Sequence, residues 1–126
     1  MDTPLQNLAG CRVLLVEDEY LIADELGKHL SAHGAILLGA VPTLEKALAL
    51  VEASERIDGA VIDINLRGQA AYPVADALEG RGVPFVFATG YSAAMLPDRY
   101  RHVPRWEKPY QFEALVQSLP ALIHRS

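Results

Sequence analysis

Only one cysteine, Cys11, stands in the 126 residues. An internal disulfide is therefore excluded, and a reducing, cytoplasmic setting fits. The expected role of its thiol is that of a small buried hydrophobe. No apolar run approaches the ~20 residues of a membrane span, so no membrane role is expected. The opening stretch, Met1 to Gly10, has an acid but no Lys or Arg and no long apolar run, so it does not read as a secretory signal. Basic clusters are missing as well, and the net charge is −5. That disfavours nucleic acid as a partner, because such binding draws its affinity from grouped cations on phosphates. What is present is a chain that is 51% hydrophobic, too apolar to be disordered and long enough for one real core. No repeat, linker or low-complexity segment interrupts it, so residues 1–126 are expected to form a single domain with no output domain.

Short apolar runs alternate with amphipathic stretches. Arg12 to Val16 reads as a buried strand that ends on Glu17, Asp18 and Glu19. Ile22, Leu26 and Leu30 then recur at helical spacing, with Gly34 as the C-terminal cap. Ala35 to Ala40 reads as the second strand, and Thr43 as the N-cap of a helix striped by Leu44, Ala47, Leu48 and Val51. After an Asp58-Gly59 turn, Ala60 to Ile64 reads as the third strand, and Val74 to Leu78 centre a third helix ended by Gly80 and Gly82. Pro84 to Ala88 reads as the fourth strand. Tyr91 to Arg101 contains Pro97 and little periodicity, so a fourth helix is expected to be short or broken. His102 to Trp106 reads as a weak fifth strand, and Phe112, Leu115, Val116 and Leu119 mark a last helix that Pro120 ends or kinks. Such alternation implies a doubly wound, five-stranded parallel sheet covered on both faces. Ligands of these sheets sit outside the carboxyl ends of the strands.

The polar residues at those ends are Glu17 and Asp18, Asp63, Thr89 and Lys108. Three carboxylates in one crevice repel each other, and a hard cation removes the conflict. Mg²⁺ takes oxygen ligands and usually combines one or two carboxylates with waters and phosphate oxygens. Lys108 and Thr89 would meet the oxygens of a phosphoryl group, and Asp63 would be the nucleophile that carries it. Chemistry of this kind is mainly positioning and charge stabilisation.

Four pieces, Leu15-Val16-Glu17-Asp18-Glu19, Ile62-Asp63-Ile64-Asn65, Thr89-Gly90 and Lys108-Pro109, stand in the order and spacing of a known family. Across nearly its whole length the sequence resembles the receiver domains of two-component response regulators. The resemblance implies the flavodoxin-like (βα)5 fold and a bacterial phosphorelay function. Asp63 would be the phospho-acceptor, supplied by the phosphohistidine of a histidine kinase or a phosphotransfer protein. Asp18 and Asp63 would ligate Mg²⁺ directly, with the backbone carbonyl of Asn65, and Glu17 would act through water. Thr89 would be the switch hydroxyl and Lys108 the phosphate contact. A cis Lys108-Pro109 bond is implied in the same way. The chain would catalyse only its own phosphorylation and dephosphorylation, and would switch binding of a downstream protein.

Pro84-Phe85 with Phe87-Ala88-Thr89-Gly90-Tyr91 is similar to the "FAT GUY" receivers, which are often stand-alone, often served by HWE-type or related kinases, and short in the fourth helix. Gly90 would leave the acceptor face open. One departure concerns the switch. Where many receivers have an aromatic three residues before the lysine, Arg105 stands here, so Tyr91 or Trp106 is expected to substitute, or Arg105 to contact a partner. Glu19 reads as a solvated acid or as first-turn charge. His29 and His33 have metal-ligand spacing but no third ligand nearby, and read as solvent-facing. The last helix reads as core, with residual apolar residues that could serve a homodimer. Two other classes compete. A haloacid-dehalogenase-like phosphatase shares the Asp, Thr, Lys and Mg²⁺, but needs a second acid where Asn65 stands. A flavodoxin-like cofactor binder needs a hydroxyl- and glycine-rich loop where Glu17, Asp18 and Glu19 stand.

Overall fold

The computed structural model describes residues 8–90 and 96–124. In chain order the elements are β1 (Arg12–Val16), α1 (Tyr20–Ala32), β2 (Ile36–Val41), α2 (Leu44–Ala53), β3 (Gly59–Asp63), β4 (Asn65–Leu66), β5 (Gln69–Ala70), α3 (Tyr72–Gly80), β6 (Phe85–Thr89), a 3-10 turn (Asp98–Tyr100), β7 (Arg105–Glu107) and α4 (Phe112–Ile123). Five strands form one parallel sheet in the order β2-β1-β3-β6-β7. The expected doubly wound flavodoxin-like fold is therefore present. Strand order reverses between β1 and β3, which puts the switch-point crevice at their carboxyl ends.

Alternation along β1 shows how the two layers form. Leu14 and Val16 pack with Ala47 and Val51 of α2 and with Val74, Ala75 and Leu78 of α3. Val13 and Leu15 point the other way and pack with Leu26 and Leu30 of α1 and with Leu115, Val116 and Leu119 of α4. Each fully buried aliphatic side chain contributes about 1.5–3 kcal/mol, so these two layers supply most of the driving force. Helix ends follow the local chemistry. The Thr43 side chain accepts the Lys46 N–H at 3.2 Å as the N-cap of α2. Gly34 takes φ +91° after α1, a conformation that L side chains avoid.

Four features differ from the sequence reading. The last strand begins at Arg105 rather than His102, because the turn after the 3-10 segment runs through Val103, whose N–H goes to the Tyr100 carbonyl at 3.1 Å. Pro120 does not end the last helix but lies inside α4, which continues to Ile123. A two-stranded antiparallel hairpin, β4–β5, follows β3 directly. Its turn is Arg67-Gly68, both with positive φ (+52° and +87°), as a two-residue hairpin turn requires. Finally, His33 is buried rather than solvent-facing: its Nε2 lies 2.8 Å from Glu113 Oε2, and His29 Nδ1 lies 2.9 Å from Glu113 Oε1. One carboxylate of α4 thus meets a ring from α1 and the ring of its C-cap residue, and the contact to His29 leads in holding the Glu113 carboxyl down to about 2. Cys11 is buried, as expected. The weak fourth-helix region is a single 3-10 turn within the described part, and Tyr91 lies outside the described residues.

Candidate functional site

The carboxyl edge of the sheet brings the predicted residues together. Glu17 and Asp18 follow β1 directly, Asp63 ends β3, Thr89 ends β6 and Lys108 follows β7. Glu17, Asp63 and Thr89 are buried, with exposures of 3%, 4% and 0%. Lys108 Nζ donates to Glu17 and to Asp63 Oδ2 at 3.1 Å each, and to Glu19 Oε2 at 2.6 Å. Backbone donors from neighbouring loops complete the arrangement. The Asn65 N–H reaches Asp63 Oδ1 at 3.2 Å, the Glu19 N–H reaches Glu17 Oε2 at 3.1 Å, and the Arg67 N–H reaches Asp18 Oδ2 at 3.1 Å. The Lys108 N–H donates to the Thr89 carbonyl at 2.8 Å, and the Lys108-Pro109 bond is cis.

A cleft of about 370 Å³ opens over these groups, lined by Asp18, Glu19, Asp63, Asn65, Gly90 and Lys108. A Cβ on Gly90 would meet no atom of the described residues within 4 Å. The missing side chain there keeps the cleft roomy and is not needed for packing. Two groups escaped the sequence reading. Glu19 reads as a solvated acid, yet it makes the shortest contact to Lys108. Arg67 contributes through its backbone N–H, and its left-handed φ is the one positive value on a non-glycine among the described residues. The Arg-Gly pair was the available signal for that turn.

Crowded acids shift one another. Burial first, then the charge of Asp63, push the Glu17 carboxyl up to about 8, against the pull of the Glu19 N–H and Lys108. Burial also raises Asp63, although Glu17, Lys108 and the Asn65 N–H oppose it. For Lys108 burial works downward, but Glu19, Asp63 and Glu17 outweigh it and hold the ammonium above its ordinary value. A testable pH dependence follows. Between the ordinary 4.5 and about 8, Glu17 keeps a proton in the fold that it has lost in the unfolded chain. Stability therefore falls as pH rises through that window. In chelator, the melting temperature of the wild type is expected to drop from about pH 5 to about pH 8, and Glu17→Gln to flatten the drop. Equal slopes for the two proteins would contradict the assignment.

Glu17, Asp18 and Asp63 each bring a carboxylate oxygen within 4.8 Å of the others. That all-oxygen set, with its surplus negative charge, fits a hard divalent cation.

No protein-family model matches the chain. The two-component response regulator PhoP of Pseudomonas aeruginosa is 32% identical over 120 residues, 91% of this chain and 52% of that protein. The chain thus spans about half the length of the curated relative it matches. The solution structure of SdrG from Sphingomonas melonis Fr1 is 40% identical, covers 96% of this chain and 98% of its own, and superposes with a TM-score of 0.77. A solution structure of the BeF3-activated conformation of SdrG is 42% identical, covers 91% of this chain and 98% of its own, and has a TM-score of 0.74. The receiver (REC) domain of the PhyR response regulator from Erythrobacter litoralis is 26% identical over 94% of this chain, with a TM-score of 0.80.

This chain is a response-regulator receiver domain. Its likeness to SdrG and to a PhyR receiver is in keeping with the FAT GUY motif at Phe87 to Tyr91. The haloacid-dehalogenase alternative gains nothing from these relatives, and the side chain of Asn65 is occupied in accepting the Gly68 N–H at 3.0 Å.

The receiver's sheet also bears on Trp106 as a stand-in for the missing aromatic; the other expected stand-in, Tyr91, lies outside the described residues. Phe87 pairs with Arg105, Ala88 with Trp106 and Thr89 with Glu107. Phe87 packs in the α2/α3 layer, whereas Ala88 and Trp106 pack in the α1/α4 layer. By strand alternation Thr89 shares the face of Phe87 and Arg105, opposite Trp106. Trp106 is thus on the wrong side of the sheet to move with Thr89, which corrects the expectation for it. Arg105 instead reaches Glu107 Oε1 at 3.2 Å.

Proposed function

We propose that Asp63 accepts the phosphoryl group and that Asp18, Asp63 and the backbone carbonyl of Asn65 would hold Mg²⁺, with Glu17 acting through water. The observation that carries this reading is the position of Asp63: on the floor of the cleft, at the switch point, with its two oxygens on Lys108 and the Asn65 N–H. Bound there, the cation would neutralise the acids and the charge on the transferring group.

The donor is a phosphohistidine on a histidine kinase, of HWE type or related, or on a phosphotransfer protein. An ionised Asp63 oxygen bonds to phosphorus as the phosphorus–nitrogen bond breaks, and the bonding pair stays on the donor's imidazole nitrogen. Lys108 and Thr89 meet oxygens of the transferring group and stabilise the charge spread over them. The new acyl phosphate carries roughly −1.5 to −2 charge in place of the single carboxylate charge of Asp63 and projects it further into the cleft. Thr89 and the chain that follows it move toward that charge, which changes the surface offered to a downstream protein. The setting is the cytoplasm; among the described residues no helix is long and apolar enough to cross a membrane.

Beryllofluoride mimics the bound phosphoryl group and tests the reading without a kinase. In amide NMR spectra, beryllofluoride and Mg²⁺ together are expected to move Asp18, Asp63, Asn65, Thr89 and Lys108, whereas beryllofluoride alone leaves them in place. Unchanged spectra with both present would refute the assignment.

A further inference from the structure

Lys108 has one more partner than phosphoryl transfer requires. Glu17 and Asp63 hold it at 3.1 Å, and both are buried and fixed in place. Glu19 Oε2 comes closer, at 2.6 Å, from a side chain that is 56% exposed. Helix capping does not account for Glu19 being there. It occupies the N-cap position of α1, where a short polar side chain commonly takes a first-turn N–H, yet its carboxylate caps nothing. It also lies on the wall of the reaction cleft, facing Asp63, Asp18 and Lys108. The incoming group adds further negative charge to this wall, and Lys108 is the ammonium placed to receive it.

We propose that Glu19 is a positioning residue that holds Lys108 back from the incoming phosphoryl group and thereby sets how fast Asp63 is loaded. The inference rests on the roles given above to Asp63 and Lys108. Loading exchanges one ion pair for another. The Lys108–Glu19 contact opens, the ammonium meets a phosphoryl oxygen, the Glu19 carboxylate turns to water, and no proton changes hands. Exposure is what makes Glu19 the member that leaves. A half-solvated carboxylate is rehydrated at little cost, whereas releasing Lys108 from the buried Glu17–Asp63 pair would strand a charge inside the fold. Glu19 is thus a gate in the resting state and a bystander in the loaded one.

The test uses the full chain with acetyl phosphate and Mg²⁺, following the mass gain over time at low and high ionic strength. Glu19→Gln keeps the size and removes the charge. Asp24→Asn is the control, because it removes an acid one turn along α1 that pairs with Lys28 at 3.1 Å rather than with Lys108. At low salt Glu19→Gln is expected to load about fivefold faster than wild type, the scale of a partly solvated ion pair. Salt should shrink that advantage by weakening the wild-type contact. Asp24→Asn should load at the wild-type rate. Wild-type kinetics for Glu19→Gln, or an equal gain for Asp24→Asn, overturns the gate and leaves Asp63 as acceptor untouched. No mass gain on the wild type overturns both.

Discussion

Mixed with acetyl phosphate and Mg²⁺, the wild-type chain is expected to gain about 80 Da, the mass of one phosphoryl group on a carboxylate nucleophile, and Asp63→Asn to gain nothing. The effect is all-or-none because the neighbouring acids are poor substitutes. Asp18 has an oxygen tied to the Arg67 N–H, whereas Lys108 donates to Glu17, Glu19 and Asp63. Glu17 is buried, spends its oxygens on Lys108 and the Glu19 N–H, and does not line the cleft. Of the three acids clustered around the candidate cation site, Asp63 alone combines a place in the cleft with direct contact to the ammonium. Asparagine has nearly the same shape and can still accept from Lys108, so loss of fold does not explain the result. Removing one of several mutually repelling acids should instead leave the metal-free protein at least as stable. Intact-mass spectrometry reads the outcome directly, and an 80 Da adduct on the asparagine variant would move the acceptor elsewhere.

The second large effect is structural. Tyr100→Ala is expected to cost about 3–5 kcal/mol, enough to lower the melting temperature by roughly 10–20 °C, whereas Tyr100→Phe costs about 1 kcal/mol. Tyr100 is fully buried although it belongs to a single 3-10 turn. Its ring stacks on Tyr72 at 5.8 Å and meets Phe87 edge-on at 5.6 Å and Phe85 at 6.1 Å. Its hydroxyl donates to Asp76 of α3, and Arg99 lies 4.8 Å over the ring. Truncation to alanine opens a cavity in the middle of an aromatic cluster. Phenylalanine keeps the cluster and loses only the bond to Asp76, a side chain 51% exposed that water can satisfy. Chemical denaturation of the three proteins separates the two costs, and equal losses for the two variants would mean that the hydroxyl, not the ring, anchors the segment. The anchor bears on function, because it fixes one end of the chain leading away from Thr89 while the other end lies in the cleft.

Periodicity and composition made the layered architecture legible. β1, β2, β3 and β6 are short apolar runs and each main helix shows its stripe, so element type there followed from burial demand that any chain of this pattern must meet. The weak last strand was misplaced by three residues because Val103 is apolar but buried by a turn, and hydrophobicity alone does not tell the two apart. The hairpin after β3 went unread because its strands are only two residues long, below the length at which alternation is visible.

By itself the sequence determined that the acids, the hydroxyl and the lysine would converge, since strand ends of a parallel sheet share one edge whatever the loops do. Tertiary structure alone decided who touches whom there. Glu19 and Lys108 are 89 positions apart, as are the two ends of no local motif, and their 2.6 Å contact depends on how β1 and β7 loops are brought across the sheet. His33 was likewise settled only when α4 docked and offered Glu113 as its partner. Both are choices between water and a protein charge, and that balance is fixed by packing distances that no pattern along the chain encodes.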